Sequence, residues 1–147
     1  MHIQRYIQRW IHEFKKRIYI APYIEGSHWQ LIIICPIDRI VVWFCSLHKK
    51  PSKEMKTLIQ RAINVSGVLD GKSTASSSHL DWIYPKCNRQ RGSFECGYYV
   101  MHWMWTIARA TIVDSWADVF DGVEPLGKDK IEDIRKEWAR YFLWLKH

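Results

Sequence analysis

Seven consecutive residues, Phe94-Glu95-Cys96-Gly97-Tyr98-Tyr99-Val100, hold the most reactive side chain in a telling place. A polar run, KCNRQRGS, leads into them and an apolar run, YYVMHWMWTIA, leads out. Cys96 therefore stands where a loop becomes a helix. The partial positive charge of a helix N-terminus favours a thiolate, and the thiolate is the nucleophilic form. Gly97 leaves room for a substrate backbone to come close. The competing reading is a small buried packing thiol. A cysteine nucleophile needs a base, most often histidine. Of the seven histidines, His2 and His12 fall in an N-terminal helical segment, His48 and His79 flank loops, and His147 ends the chain. His102 lies six residues along the Cys96 helix and points to another face. His28 opens the strand-like run HWQLIIIC where a loop meets the sheet, which makes it the best placed. An acyl-transfer intermediate also needs donors for its oxyanion. The Cys96 backbone N–H is one candidate, and the Gln90 side-chain amide is a second. Read by itself, Gln90 is a solvated loop residue.

These residues need elements to hold them. Ile3, Ile7, Trp10, Ile11, Phe14 and Ile18 recur at helical spacing and predict an amphipathic helix over 3–18 with a basic outer face. RIYIAPYI predicts a first strand, placed at an edge or broken by Pro22. HWQLIIIC and IVVWFCSL, separated by the turn PIDR, predict a hairpin. Pairing Cys35 with Ile40 across that turn sets Gln30 opposite Cys45 and His28 opposite Leu47. His28 and Cys45 then share a face as diagonal neighbours. Asp38 sits at the turn, about 33 Å from His28 along the strand, too far to serve it. Ser52 is the expected N-cap of a helix with Met55, Leu58, Ile59, Ala62 and Ile63 on one face. The Ser- and Gly-rich run 66–79 reads as a mobile loop. DWIYP reads as a short strand, and the Cys96 helix should run to about Ala110. A last helix should begin near Asp129, with Glu132 completing a capping box and Ile131, Ile134, Trp138, Tyr141, Phe142 and Leu145 as its apolar stripe. Strands early and helices late predict an α+β fold rather than a doubly wound sheet.

Bulk properties set the frame. The chain has 147 residues, 48% hydrophobic and 25% charged, which suits one soluble domain with a real core. Nine tryptophans and seven tyrosines predict an aromatic-rich interior. Apolar runs fall short of the roughly 18 residues a membrane span needs, and the N-terminus lacks the continuous apolar block of a signal peptide. An intracellular, monomeric protein is expected, in nucleus or cytoplasm. The net charge of +7 suits an acidic partner or simply a basic surface. Without a helix-turn-helix or zinc signature, nucleic acid is not the expected partner. The cysteines, Cys35, Cys45, Cys87 and Cys96, form no C-x-x-C pair. No metal, cofactor or intracellular disulfide is expected.

HWQL, then CSL, then QRGSFECGYYV resembles the ubiquitin-like-protein proteases, cysteine peptidases of the papain clan that process and remove SUMO and related modifiers. VVWFCSLHKKPS and CGYYVMHWM are similar to divergent plant copies, many carried by transposable elements. The resemblance runs from about Tyr19 to Tyr141. It implies a papain-like fold with a mostly antiparallel sheet, flanking helices and the nucleophile at a helix N-terminus. It implies Cys96 as nucleophile, His28 as general base, Gln90 as oxyanion donor and Trp29 as a wall of the channel for the modifier's Gly-Gly tail. The implied partner is a ubiquitin-like modifier or its conjugates, and the implied reaction is hydrolysis after the modifier's terminal glycine. Two departures stand out beside the mild change of Asp to Glu at position 95. Cys45, seventeen positions after His28, occupies the place of the acid that orients the histidine. A neutral thiol cannot stabilise an imidazolium as a carboxylate does, which predicts a weakened enzyme or a modifier-binding module. Only 27 residues precede His28, so the single domain, 1–147, is expected to lack the N-terminal part of the family domain.

Overall fold

The computed structural model describes residues 2–69 and 79–146. The elements run α1 (His2–Phe14), β1 (Tyr19–Glu25), β2 (His28–Cys35), β3 (Ile40–Phe44), α2 (Lys53–Leu69), β4 (Asp81–Ile83), α3 (Cys96–Ala110), α4 (Trp116–Val119) and α5 (Lys128–Trp144). The four strands form one sheet in the order β1-β2-β3-β4. The first two pairings are antiparallel and β3–β4 is parallel. The architecture is α+β, as the order of sequence signals predicts.

The hairpin register is the expected one, with Cys35 opposite Ile40 and Leu31 opposite Phe44. Both strands are buried on both faces, which is why LIIIC and IVVWF read as continuous apolar runs rather than alternating ones. Leu31, Ile33, Val42 and Phe44 meet Tyr99, Val100, Trp103 and Ile107 of α3. On the other face Ile32, Ile34, Val41 and Trp43 meet Ile7 and Ile11 of α1 and Met55, Ile59 and Ala62 of α2. Three layers result, with α3 on one side of the sheet and α1 with α2 on the other. The interior is aromatic: Phe44 lies between Trp103, at 5.4 Å, and Phe120, at 4.9 Å. Pro22 falls on β1, the edge strand, where its missing N–H costs no ladder bond to a further strand. Ser52 caps α2, its Oγ accepting the Met55 N–H at 3.1 Å.

Several boundaries differ from expectation. α1 stops at Phe14, because Lys15 turns left-handed at φ 45 and Ile18 joins the core on the α3 side. The predicted loop 66–79 begins too early. α2 continues to Leu69, and Ser66 is accommodated in it by donating its hydroxyl to the Ala62 carbonyl at 2.9 Å. The rest of that loop, residues 70–78, lies outside the described residues. α5 is capped by Gly127, not Asp129, and has no side-chain cap. Leu126 donates its N–H to the Tyr99 hydroxyl at 3.0 Å, which fixes the chain just ahead of this earlier start. Asp129 still lies in the first turn, where its charge complements the helix dipole. Of the predicted α5 stripe only Ile134 is buried, while Tyr141, Phe142 and Leu145 are exposed. The four-residue α4 carries no periodicity that sequence reading could catch.

Candidate active site

A two-residue turn places the histidine. Glu25 pairs with His28 across Gly26 and Ser27, whose φ angles are +55 and +64. Two positive φ values in a two-residue loop match the twist of an antiparallel hairpin. His28 is therefore held as the first residue of β2. Its Nε2 lies 3.3 Å from the Cys45 Sγ, just past the end of β3. The diagonal placement drawn from the hairpin register is the one observed. Burial, then the charge of Lys49, hold the His28 pKa below its ordinary value, so the ring is neutral at neutral pH.

Cys96 is the first residue of α3. Glu95 precedes it in a helix-like conformation and makes no side-chain cap. The first N–H groups of a helix have no intrahelical acceptor, so the end of α3 is open to an anion. Cys96 is buried, and its Sγ accepts the backbone N–H of Trp29 at 3.4 Å. That bond ties the sulfur to the residue next to His28. Trp29 is 39% exposed, and a Cβ built at Gly97 would meet its Cδ1 at 3.7 Å. The indole thus covers the glycine at the mouth of the site.

Gln90 is buried rather than solvated. Its backbone N–H donates to the Ser46 carbonyl at 3.0 Å, and its side-chain Oε1 accepts from the Ser46 hydroxyl. Its Nε2 donates to the Gly92 carbonyl at 2.6 Å. An amide nitrogen carries two hydrogens, so one remains for another acceptor. Ser46, fully buried and next to Cys45, is the residue that sequence reasoning missed. Its signal was weak, a serine in an apolar run. The 45–48 turn is further clasped to the 87–90 segment, with the Cys87 Sγ on the Cys45 carbonyl at 3.5 Å and the His48 Nε2 2.8 Å from the Cys87 carbonyl.

The remaining thiols, acid and histidine differ from these residues in their surroundings. Burial pushes the Cys35 and Cys87 thiols up to about 11, which makes both poor nucleophiles at neutral pH. Asp38 pairs with Arg17 at 3.2 Å at the hairpin turn. His102 lies within α3, its pKa lowered by burial and then by Lys130. Among the described residues no group of three His, Cys, Asp or Glu side chains is arranged to hold a metal ion. Nor is any described helix long and apolar enough to cross a membrane.

Residues 4–142 match the sequence profile "Ulp1 protease family, C-terminal catalytic domain". The chain belongs to the Ulp1 protease family. Solved structures agree on the fold. The Ulp1-like SUMO protease catalytic domain of Chaetomium thermophilum matches with a TM-score of 0.53 at 18% identity, covering 82% of this chain and 44% of its own. SUMO protease Ulp1 with its catalytic cysteine oxidised to a sulfonic acid matches with a TM-score of 0.55 at 21% identity, covering 90% and 57%. A de-sumoylating protease matches with a TM-score of 0.59 at 15% identity, covering 97% and 66%. The chain thus spans between 44% and 66% of the length of these relatives. No curated protein sequence matches it.

Proposed function

We propose that the chain is a thiol peptidase domain that cleaves after the C-terminal glycine of a ubiquitin-like modifier of the SUMO type, in processing or deconjugation. The observation that carries this reading is the Cys96 sulfur at an open helix N-terminus, bonded to the strand that begins at His28. In the proposed reaction the Cys96 thiolate attacks the carbonyl carbon of the modifier's last glycine. The Cys96 N–H and the spare Gln90 N–H hold the oxyanion, with Ser46 keeping the amide the right way round. His28 takes the thiol proton and returns it to the leaving amine. Water, deprotonated by His28, then releases the acyl group and restores the thiol. His28 turns its Nε2 toward Cys45, which leaves Nδ1 for the thiol. Trp29 over Gly97 suits a channel that admits only glycines.

Cys45 supports a second reading. A sulfur where an orienting carboxylate would serve leaves the imidazolium without a counter-charge, so the domain binds a modifier and cleaves it slowly or not at all. Release of a fluorophore from a SUMO C-terminal amide separates the two. Turnover that is lost in Cys96→Ala supports the peptidase. Saturable SUMO binding with no turnover in the parent chain supports the binding module.

A further inference from the structure

Cys45 meets His28 and also lines a separate feature. A cavity of about 260 Å³ lies beside it, walled by Trp43, Tyr84 and Val123 and rimmed by Lys49, Lys50 and Lys86. Its lining residues include no Asp or Glu. Among the described residues none of these three lysines makes an ion pair. Positive charge is crowded further by Lys56. The Lys50 Nζ stands 3.8 Å above the Tyr84 ring, and the Lys56 Nζ lies 5.4 Å from the same ring.

We propose that this cavity binds a small organic phosphomonoester, its phosphate at the lysine rim and its apolar body against Trp43, Tyr84 and Val123. Several cations suit a dianion with three strong acceptor oxygens better than a single carboxylate. The volume is several times the roughly 30 Å³ that one water occupies in the liquid, so it takes an organic body as well as the anion. The walls give that body an apolar surface. A phosphate at Lys49 places negative charge on the side of the site where position 45 supplies none. The same lysine is the second cause of the lowered His28 pKa, so an anion there relieves it.

The binding claim is independent of catalysis and is tested with both the parent chain and Cys96→Ser. Calorimetric titrations use phenyl phosphate, inorganic phosphate and phenol in low salt. Phenyl phosphate should bind at one saturable site, more tightly than inorganic phosphate, and phenol should not bind. Lys49→Gln with Lys86→Gln, two exposed positions whose change leaves the core intact, should weaken phenyl phosphate at least tenfold. Phenol binding as well as phenyl phosphate would reduce the cavity to an apolar crevice and overturn the proposal. Failure of phenyl phosphate to saturate, or affinity unchanged in the folded double variant, would overturn it too.

Discussion

Replacing Cys45 with Asp puts a carboxylate where a sulfur now lies 3.3 Å from the His28 Nε2. At that separation a carboxylate and an imidazolium attract by about 5 kcal/mol at an effective dielectric of about 20, and by about 1 kcal/mol in bulk water. Desolvation of the new carboxylate opposes this, since position 45 is buried. The usual outcome for such a pair is a histidine pKa raised by about 1–3 units. At about 1.36 kcal/mol per unit, an imidazolium stabilised to that extent in the transition state speeds the reaction about 10- to 1000-fold. The assay is kcat/KM on a SUMO C-terminal amide, with Cys45→Asn as the uncharged control. The linkage has a definite sign. In the parent chain the folded pKa of His28 lies below its unfolded value, so stability rises with pH up to about 6.5 and falls below it. In Cys45→Asp the folded value is raised, so the pair's stabilisation is present below about 6.5 and is lost as pH climbs through the new value. His102 shifts in the parent direction in both proteins and cancels in the comparison. A folded Cys45→Asp no faster than the parent, or no faster than Cys45→Asn, would refute the claim that missing charge at position 45 limits this site.

Other consequences are open to direct measurement. Ser46→Ala strips the Gln90 Oε1 of its buried partner and should lower stability by about 1–3 kcal/mol in urea unfolding, with kcat falling more than KM rises. Native alkylation at neutral pH, mapped by peptide mass, should spare Cys35 and Cys87, whose thiols burial holds near about 11, and label them only after unfolding. Ser52→Ala removes the α2 cap and should cost about 1 kcal/mol without altering turnover.

The sequence carried the geometry of the reacting residues further than it carried the edges of the elements. Register followed from one pairing across the PIDR turn, because side chains alternate and both strands must bury their apolar sets. The start of α3 at Cys96 was legible from the switch of polar loop to apolar helix. Gln90 was not legible as a buried residue, since its anchor, Ser46, comes from a strand end far away in sequence. The run after Ser66 read as loop because serine competes with the helix backbone, a competition that tertiary burial of Ser66 decides in favour of α2. Asp129 looked like a cap because Asp is a good one, but a hydrogen bond from Leu126 to the Tyr99 hydroxyl sets the chain so that Gly127 takes the place.

The central claim is that Cys96 is the nucleophile for a ubiquitin-like modifier. The most direct test is intact mass after incubation with modifier probes bearing a C-terminal thiol-reactive group, using SUMO and ubiquitin in parallel and Cys96→Ser as control. The account predicts one adduct with the SUMO probe, absent in Cys96→Ser. An adduct that persists in that variant, or none at all from a folded sample, contradicts it.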